Sequence, residues 1–297
     1  MKIQLSTDGP QLSQIVAGVM NWGVWGADYK PSEVAALIDG CVNLGVTSFD
    51  HADIYGGYTT EALWGEAINN SSVKRSDIEL ITKCGICYPR SSEEVKSYNT
   101  QKEYIINAVD TSLKNLKTDY IDLLLIHRPS PIMHGAEIAS AINELKQSGK
   151  IRDFGVSNFT PSQMDMMHSL SPIVTNQVEA SLLHLDPYLD GTFDFCQKNN
   201  IHPMIWSPLA NGRLFKSSSN YELLTQRSRI MDVCTKYDWT LDEAAYLFLL
   251  HHPHNLVPVT GSSKIERIQT AVTCLEKEIS NDQWFELWTA STGTKVP

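Results

Sequence analysis

A chain of 297 residues has room for one large domain or two ordinary ones, and its 42% apolar and 20% charged residues suit a water-soluble protein with a sizeable core. The formal charge of −10 sets the average surface against nucleic acid and anionic membranes, so a phosphorylated ligand needs its own local cluster of Lys and Arg. No apolar run approaches the roughly 18 to 20 residues that span a bilayer, and residues 1–10 lack the apolar stretch of a secretory signal, which makes the expected location cytoplasmic.

In chain order, residues 3–5 and Leu12 flank Asp8-Gly9 and predict a small hairpin. Short β-branched or aliphatic runs then predict strands at 15–20, 48–52, 78–84, 121–127, 151–157, 173–179, 202–207 and 256–260. Between them the apolar period changes to that of a helix. Pro31 suits the first turn of the first helix and Gly45 its end. Ile105, Ala108, Val109, Ser112, Leu113 and Leu116 share one helix face, as do Ile138, Ala141, Ile142 and Leu145. Thr240 followed by Glu243 reads as a capping box.

Strict alternation of strand and helix predicts a parallel sheet, and the run Ile121-Asp122-Leu123-Leu124-Leu125-Ile126 is apolar on both faces towards its end, as in a strand enclosed on both sides. The expected fold is α/β, a (β/α)8 TIM barrel over residues 1–297 as one domain, with the N-terminal β-hairpin capping its bottom. The polar loops 88–101 and 216–221 follow strand ends, where barrel enzymes keep their specificity.

Reactive side chains belong at those same strand ends. Asp50 and Tyr55 follow the second strand, Lys83 the third and His127 the fourth. A phenol beside an ammonium can give up its proton, a carboxylate can hold that ammonium, and an imidazole can orient a carbonyl oxygen. Trp22, Trp25 and Tyr88 are candidates for an aromatic substrate wall, Trp22 foremost. The substrate set is thus Trp22, Tyr55, Tyr88 and His127.

Other motifs read blandly. The six cysteines do not form a small disulfide framework, and Cys84 and Cys87 have Cys-x-x-Cys spacing without a second pair, so no metal is expected. His251, His252 and His254 read as a helix-end cap. Tyr98-x-x-x-Lys102 has the spacing of a short-chain dehydrogenase, yet no Gly-rich fingerprint follows the first strand.

The stretch Phe49-Asp50-His51-Ala52-Asp53-Ile54-Tyr55-Gly56, together with Ile81-Thr82-Lys83 and Leu125-Ile126-His127-Arg128-Pro129, resembles the motifs of the aldo-keto reductase superfamily. Gly155-Val156-Ser157-Asn158-Phe159, Asn176-Gln177-Val178-Glu179, the segment from Trp206 to Leu214 and the segment from Val257 to Lys264 continue the match in family order. The resemblance implies NADPH-dependent reduction of a small aldehyde or ketone, with Asp50, Tyr55, Lys83 and His127 as the catalytic set. It also implies that Ser157, Asn158 and Gln177 hold the nicotinamide carboxamide while Trp206 stacks on the ring. Ser207, Leu209, Gly212 and Arg213 would hold the pyrophosphate side, and Gly261, Ser262, Ser263 and Lys264 the adenosine end. Lys264 and Arg267 open the last barrel helix, where two cations and free N–H groups suit a 2′-phosphate and hence NADP.

Two departures stand out. Thr270-Ala271 replaces the Glu-Asn pair that often reads adenine, and the chain stops soon after a helix at 281–290, so a comparatively open pocket is expected. A rival reading keeps the barrel and NADP(H) but assigns it a regulatory or redox-sensing role with little turnover. A barrel hydrolase using Asp50 and Asp53 leaves Lys83 without a role. Neither nucleic acid nor membrane is an expected partner, and the pattern is compatible with a monomer.

Overall fold

Each of the eight predicted strands takes its place in one closed parallel barrel, in a computed structural model that describes residues 1–89 and 91–297. The hairpin comes first, with β1 (Lys2–Gln4) antiparallel to β2 (Gln11–Ser13). β3 (Val16–Gly18) leads to α1 (Pro31–Asn43), and β4 (Ser48–Asp50) to the short α2 (Tyr55–Tyr58) and α3 (Thr60–Ala67). β5 (Glu79–Cys84) is followed by a small outer ladder of β6 (Ile86–Cys87) and β7 (Ser97–Tyr98), then by α4 (Lys102–Leu116). Next come β8 (Ile121–Ile126), α5 (Gly135–Gln147), β9 (Ile151–Ser157), α6 (Pro161–Leu170), β10 (Asn176–Glu179) and α7 (Thr192–Lys198). β11 (Met204–Trp206) precedes α8 (Tyr221–Tyr237) and α9 (Leu241–Leu250), and β12 (Val257–Thr260) precedes α10 (Ile265–Thr273) and α11 (Asn281–Thr292). The ring runs β3, β4, β5, β8, β9, β10, β11, β12 and back to β3.

The alternation of strand side chains decides what lies inside. Leu123 and Leu125 of β8 point inward with Ile81, Met204, Val257 and Val259, while Leu124 and Ile126 point outward against Ile105, Val109, Ile138 and Ile142 of the α4 and α5 faces. Leu5 and Leu12 of the hairpin region belong to the inner cluster and are fully buried, so the hairpin does close the bottom. Gly155 marks a tight point of the wall. A Cβ there would lie 2.8 Å from both the Thr175 carbonyl oxygen and a Leu125 methyl, so only glycine lets β9 approach.

The ladders are shorter than the predicted runs because Ile15, Ile78, Ile173 and Leu256 are buried just below them without pairing. Thr240 and Glu243 form the expected capping box, and Thr160 with Gln163 and Ser280 with Gln283 form two more. The predicted 88–101 loop contains β7, and its Arg90 lies outside the described residues. Ser97 and Tyr98 pair with Cys87 and Ile86, drawing that loop back over the third strand end. Among the described residues no helix is long and apolar enough to cross a membrane.

Candidate active site

The inward face of β5 carries Ile81 and then Lys83, and β4 ends at Asp50, so a cation and an anion meet at the upper rim of the interior. The Lys83 ammonium donates to Asp50 Oδ2 at 2.6 Å, to the His51 carbonyl at 2.8 Å and to the Tyr55 hydroxyl at 3.1 Å. Its three N–H bonds are thereby satisfied in a position fully closed to solvent. Asp50 Oδ1 accepts a further bond from the Gln177 amide at 2.8 Å. Burial disfavours the lysine charge, but the neighbouring carboxylate and phenol oxygen together outweigh it and hold Lys83 above its ordinary value.

The backbone beyond β4 continues the ladder through His51 N to Ile81 O at 2.8 Å and Asp53 N to Lys83 O at 3.0 Å, then turns sharply. Gly56 and Gly57 have φ of +62° and +64°, and a Cβ on Gly56 would fall 2.6 Å from the Thr59 and Thr60 hydroxyls. This turn lays the Tyr55 phenol over Lys83. Burial is the largest influence on that phenol and pushes it up, while Lys83 pulls it down; the balance is upward. The ammonium thus pulls in the expected direction without overcoming burial, and Tyr55 rests as a protonated acid.

The His127 ring lies 6.0 Å from the Tyr55 ring at 80°, and its Nδ1 has no partner among the described residues. Burial first, then the charges of Lys83, Arg128 and Lys96, hold this imidazole well below its ordinary value, so it is neutral. A phenol, an ammonium, a carboxylate and a neutral imidazole thus converge from β4, β5 and β8, as the spacing along the chain predicts.

Beside them the ends of β9, β10 and β11 form one network. Ser157 donates to the Gln177 carbonyl at 2.8 Å, Asn158 donates to Ser157 Oγ at 2.7 Å, and the Trp206 indole donates to Asn158 Oδ1 at 3.0 Å. Asn158 adopts φ of +60°, which aims its amide along the rim. In the following loop Ser207, Ala210, Asn211 and Gly212 all have positive φ, and the N–H groups of Ala210, Gly212 and Arg213 close turns onto the carbonyls of Ser207, Leu209 and Ala210. Arg213 pairs with Glu179 at 3.6 Å, and Leu209 is half-buried. Lys264 is the residue before α10 and Arg267 lies in its first turn, both exposed.

Trp22 does not line the mouth, a correction to its predicted role. Its indole is 1% exposed, packed on Phe49 and Trp64 with centroids 6.3 and 6.1 Å away, because the chain after β3 turns down onto the helix layer. Its N–H instead holds the Ser262 carbonyl at 3.0 Å, while Asn21 holds that of Gly261 at 3.0 Å and Tyr29 that of Ser263 at 3.2 Å. The other two candidates for an aromatic wall, Trp25 and Tyr88, do lie together, their rings 5.3 Å apart and Trp25 also 6.3 Å from Tyr55.

Two residues carry little signal in the sequence. Glu61 in the first turn of α3 reads as a solvated acid, yet it is 2% exposed and accepts from Thr82 at 2.7 Å, directly behind the Lys83 strand. Arg128 reads as the neighbour of His127, yet its guanidinium lies over the Trp206 ring at 5.4 Å. All six cysteines are free; the histidines after α9 serve neighbouring elements and not the helix end, His251 bonding Asn281 at 2.9 Å and His254 the Ile201 carbonyl at 2.8 Å with its ring stacked on His202 at 4.6 Å.

Residues 14–290 match the model of the Aldo/keto reductase family. The uncharacterized oxidoreductase YcsN of Bacillus subtilis is 43% identical over 302 residues, covering 100% of this chain and 99% of that protein. A 6-dehydroglucose reductase of Agrobacterium fabrum is 39% identical over 300 residues, covering 99% of each. The holo form of the aldo-keto reductase AKR11C1 from Bacillus halodurans superposes with a TM-score of 0.85 at 25% identity, covering 99% of this chain and 97% of that one.

Proposed function

Since the chain belongs to the aldo/keto reductase family, we propose that it reduces an aldehyde or ketone to the alcohol with NADPH, Tyr55 serving as general acid. The observation that carries this reading is the 3.1 Å bond from the buried Lys83 ammonium to the Tyr55 hydroxyl, with Asp50 2.6 Å behind the lysine.

A carbonyl oxygen seated between the Tyr55 hydroxyl and the free edge of His127 meets two neutral donors, because burial keeps the phenol protonated and the imidazole uncharged. When bound, the nicotinamide supplies the hydride that reduces the carbonyl carbon. Tyr55 passes its proton to the oxygen as negative charge develops there. Lys83 stabilises the phenolate left behind, at no cost in reorganisation since it already touches that oxygen. Asp50 compensates the lysine throughout, and Gln177 fixes the carboxylate.

The residues fit a dinucleotide. Ser157, Asn158, Gln177 and Trp206 suit the nicotinamide end, and the Ser207 to Arg213 loop, with the Ser207 hydroxyl and the half-exposed Arg213 guanidinium, suits a pyrophosphate. Gly261, Ser262 and Ser263 have their carbonyls tied back by Asn21, Trp22 and Tyr29, and the Ser262 hydroxyl is engaged by the Lys264 backbone, which sets the shape of this loop and leaves the Ser263 hydroxyl to a ligand. Lys264 and Arg267, exposed at the start of α10 in an acidic protein, favour NADPH over NADH through the 2′-phosphate. An oxidised sugar of the kind named for the Agrobacterium relative is the first substrate to try.

The decisive experiment replaces Tyr55 by Phe. Reduction of the best aldehyde by NADPH should fall by about two to four powers of ten, while NADPH binding, read by tryptophan fluorescence, stays within a few fold. Equal and slow turnover by both proteins would instead favour the redox-sensing reading.

A further inference from the structure

We propose that Arg128 sets substrate specificity: its guanidinium hydrogen-bonds a pair of oxygens that the substrate carries beside the reacting carbonyl. The inference rests on the carbonyl-reductase reading above and names the substrate class that this mouth takes.

Arg128 follows His127 directly at the end of β8, so its side chain starts from the rim on which the catalytic set stands. The guanidinium is half-buried, yet among the described residues it makes no hydrogen bond and no ion pair. Five N–H donors in a partly dehydrated place without an acceptor call for one. Arg75 shows how the fold treats a structural arginine. It too lies on an aromatic ring, 3.9 Å from the Tyr120 centroid, but it spends its donors on Thr118, the Ile78 and Tyr120 carbonyls and Asp122.

The charges around Arg128 do not supply a protein partner. Tyr98, Tyr55 and Glu179 are the nearest groups able to carry negative charge, and the Glu179 carboxylate lies 3.6 Å from Arg213 instead. Lys83, Arg128 and Lys96 all place positive charge around His127. In a chain of net charge −10, this is a local cationic spot at the catalytic rim.

The guanidinium is also positioned beforehand. Its platform, Trp206, is fixed in plane by the 3.0 Å bond to Asn158, so little freedom is lost when a planar pair of acceptors arrives. A carboxylate and a pair of adjacent hydroxyls both present two acceptor oxygens at guanidinium spacing. An unsubstituted alkyl aldehyde presents none, and on closing the mouth it strips water from donors that it cannot satisfy.

The test compares succinic semialdehyde, glyceraldehyde and butanal as substrates of the wild type, Arg128→Met and Arg128→Lys. Arg128→Met keeps an unbranched stem over Trp206, and its fold is checked by the melting temperature. We expect kcat/KM to fall about ten- to hundredfold for at least one oxygen-bearing aldehyde and to stay within about threefold for butanal, with Arg128→Lys intermediate. A fall confined to succinic semialdehyde identifies the oxygen pair as a carboxylate, and one confined to glyceraldehyde identifies hydroxyls. An equal fall on all three substrates, or none on any, overturns the proposal.

Tryptophan fluorescence titrated with 4-hydroxybutanoate and with glucose gives a reading that needs no turnover. Arg128→Met should raise the dissociation constant of at least one of them tenfold or more. Wild-type protein that reduces none of the aldehydes yet shows this loss sinks the reductase reading and keeps the binding role. No saturable signal in the wild type with either ligand, or equal constants in both proteins, sinks the binding role.

Discussion

The Trp22 indole N–H and the Ser262 carbonyl oxygen lie 3.0 Å apart across the seam between β3 and β12, 240 residues apart in the chain. The ring itself is locked among Phe49 and Trp64, so the bond ties the loop before α10 to the solid core of the protein.

Trp22→Phe keeps an aromatic ring in that core and removes the bond. The expected result is a several-fold rise in the NADPH dissociation constant and a loss of about 1–3 kcal/mol in stability, with kcat at saturating cofactor close to wild type. Fluorescence titration and urea unfolding read the two effects separately. Unchanged NADPH affinity would show that the Ser262 loop does not depend on this anchor.

The Lys83 and Asp50 pair is buried on both sides, with side chains 0% and 3% exposed. Removing one member strands the other without water. Lys83→Met should therefore cost about 3–5 kcal/mol, while Lys83→Met combined with Asp50→Leu should recover much of that loss although neither variant should be active. Urea unfolding of the three proteins decides it. A double variant no more stable than the single one would mean that packing, rather than charge compensation, dominates.

His51 provides the pH dependence. Its ring is wholly buried against Trp64, neither nitrogen has a partner among the described residues, and burial followed by the Lys83 charge holds it down at about 3. In the unfolded chain the same group titrates near 6.5. Between those values the unfolded state binds a proton that the folded state refuses, so stability rises with pH. The contribution is complete above about 6.5 and is lost as pH falls towards 3, at up to about 1.4 kcal/mol per pH unit. His51→Phe should flatten the decline in unfolding free energy between pH 7 and pH 5 relative to wild type. Parallel declines would assign the acid sensitivity elsewhere, with His127, held well below its ordinary value, and His252, held down at about 4, next in line.

Much of this architecture is legible without coordinates because strand alternation and helix period are local. Ile121 to Ile126 announce a two-faced strand by themselves, and Asp50, Lys83 and His127 fall at the ends of β4, β5 and β8 in order. Trp22 is illegible for a different reason. Whether a loop aromatic turns to the mouth or to the core depends on the backbone path between Val19 and Tyr29, where Ala27 N bonds Asn21 O at 2.8 Å and Tyr29 N bonds Trp22 O at 3.0 Å. Glu61 deceives in the same way, since an acid in a first helical turn ordinarily faces water, and only the approach of β5 gives it Thr82. Arg128 carries no periodic signal at all, because its importance lies in partners it does not have.

Leu5 and Leu12 seal the lower end of the barrel, and Lys83 has no exposure to bulk solvent. In the proposed reduction, a proton to replace the one Tyr55 gives up would have to enter by the upper opening, through which the alcohol would also depart. Recharging the acid and releasing the product would then share one doorway, and a bulky alcohol slow to leave would hold the tyrosine discharged for as long as it stayed.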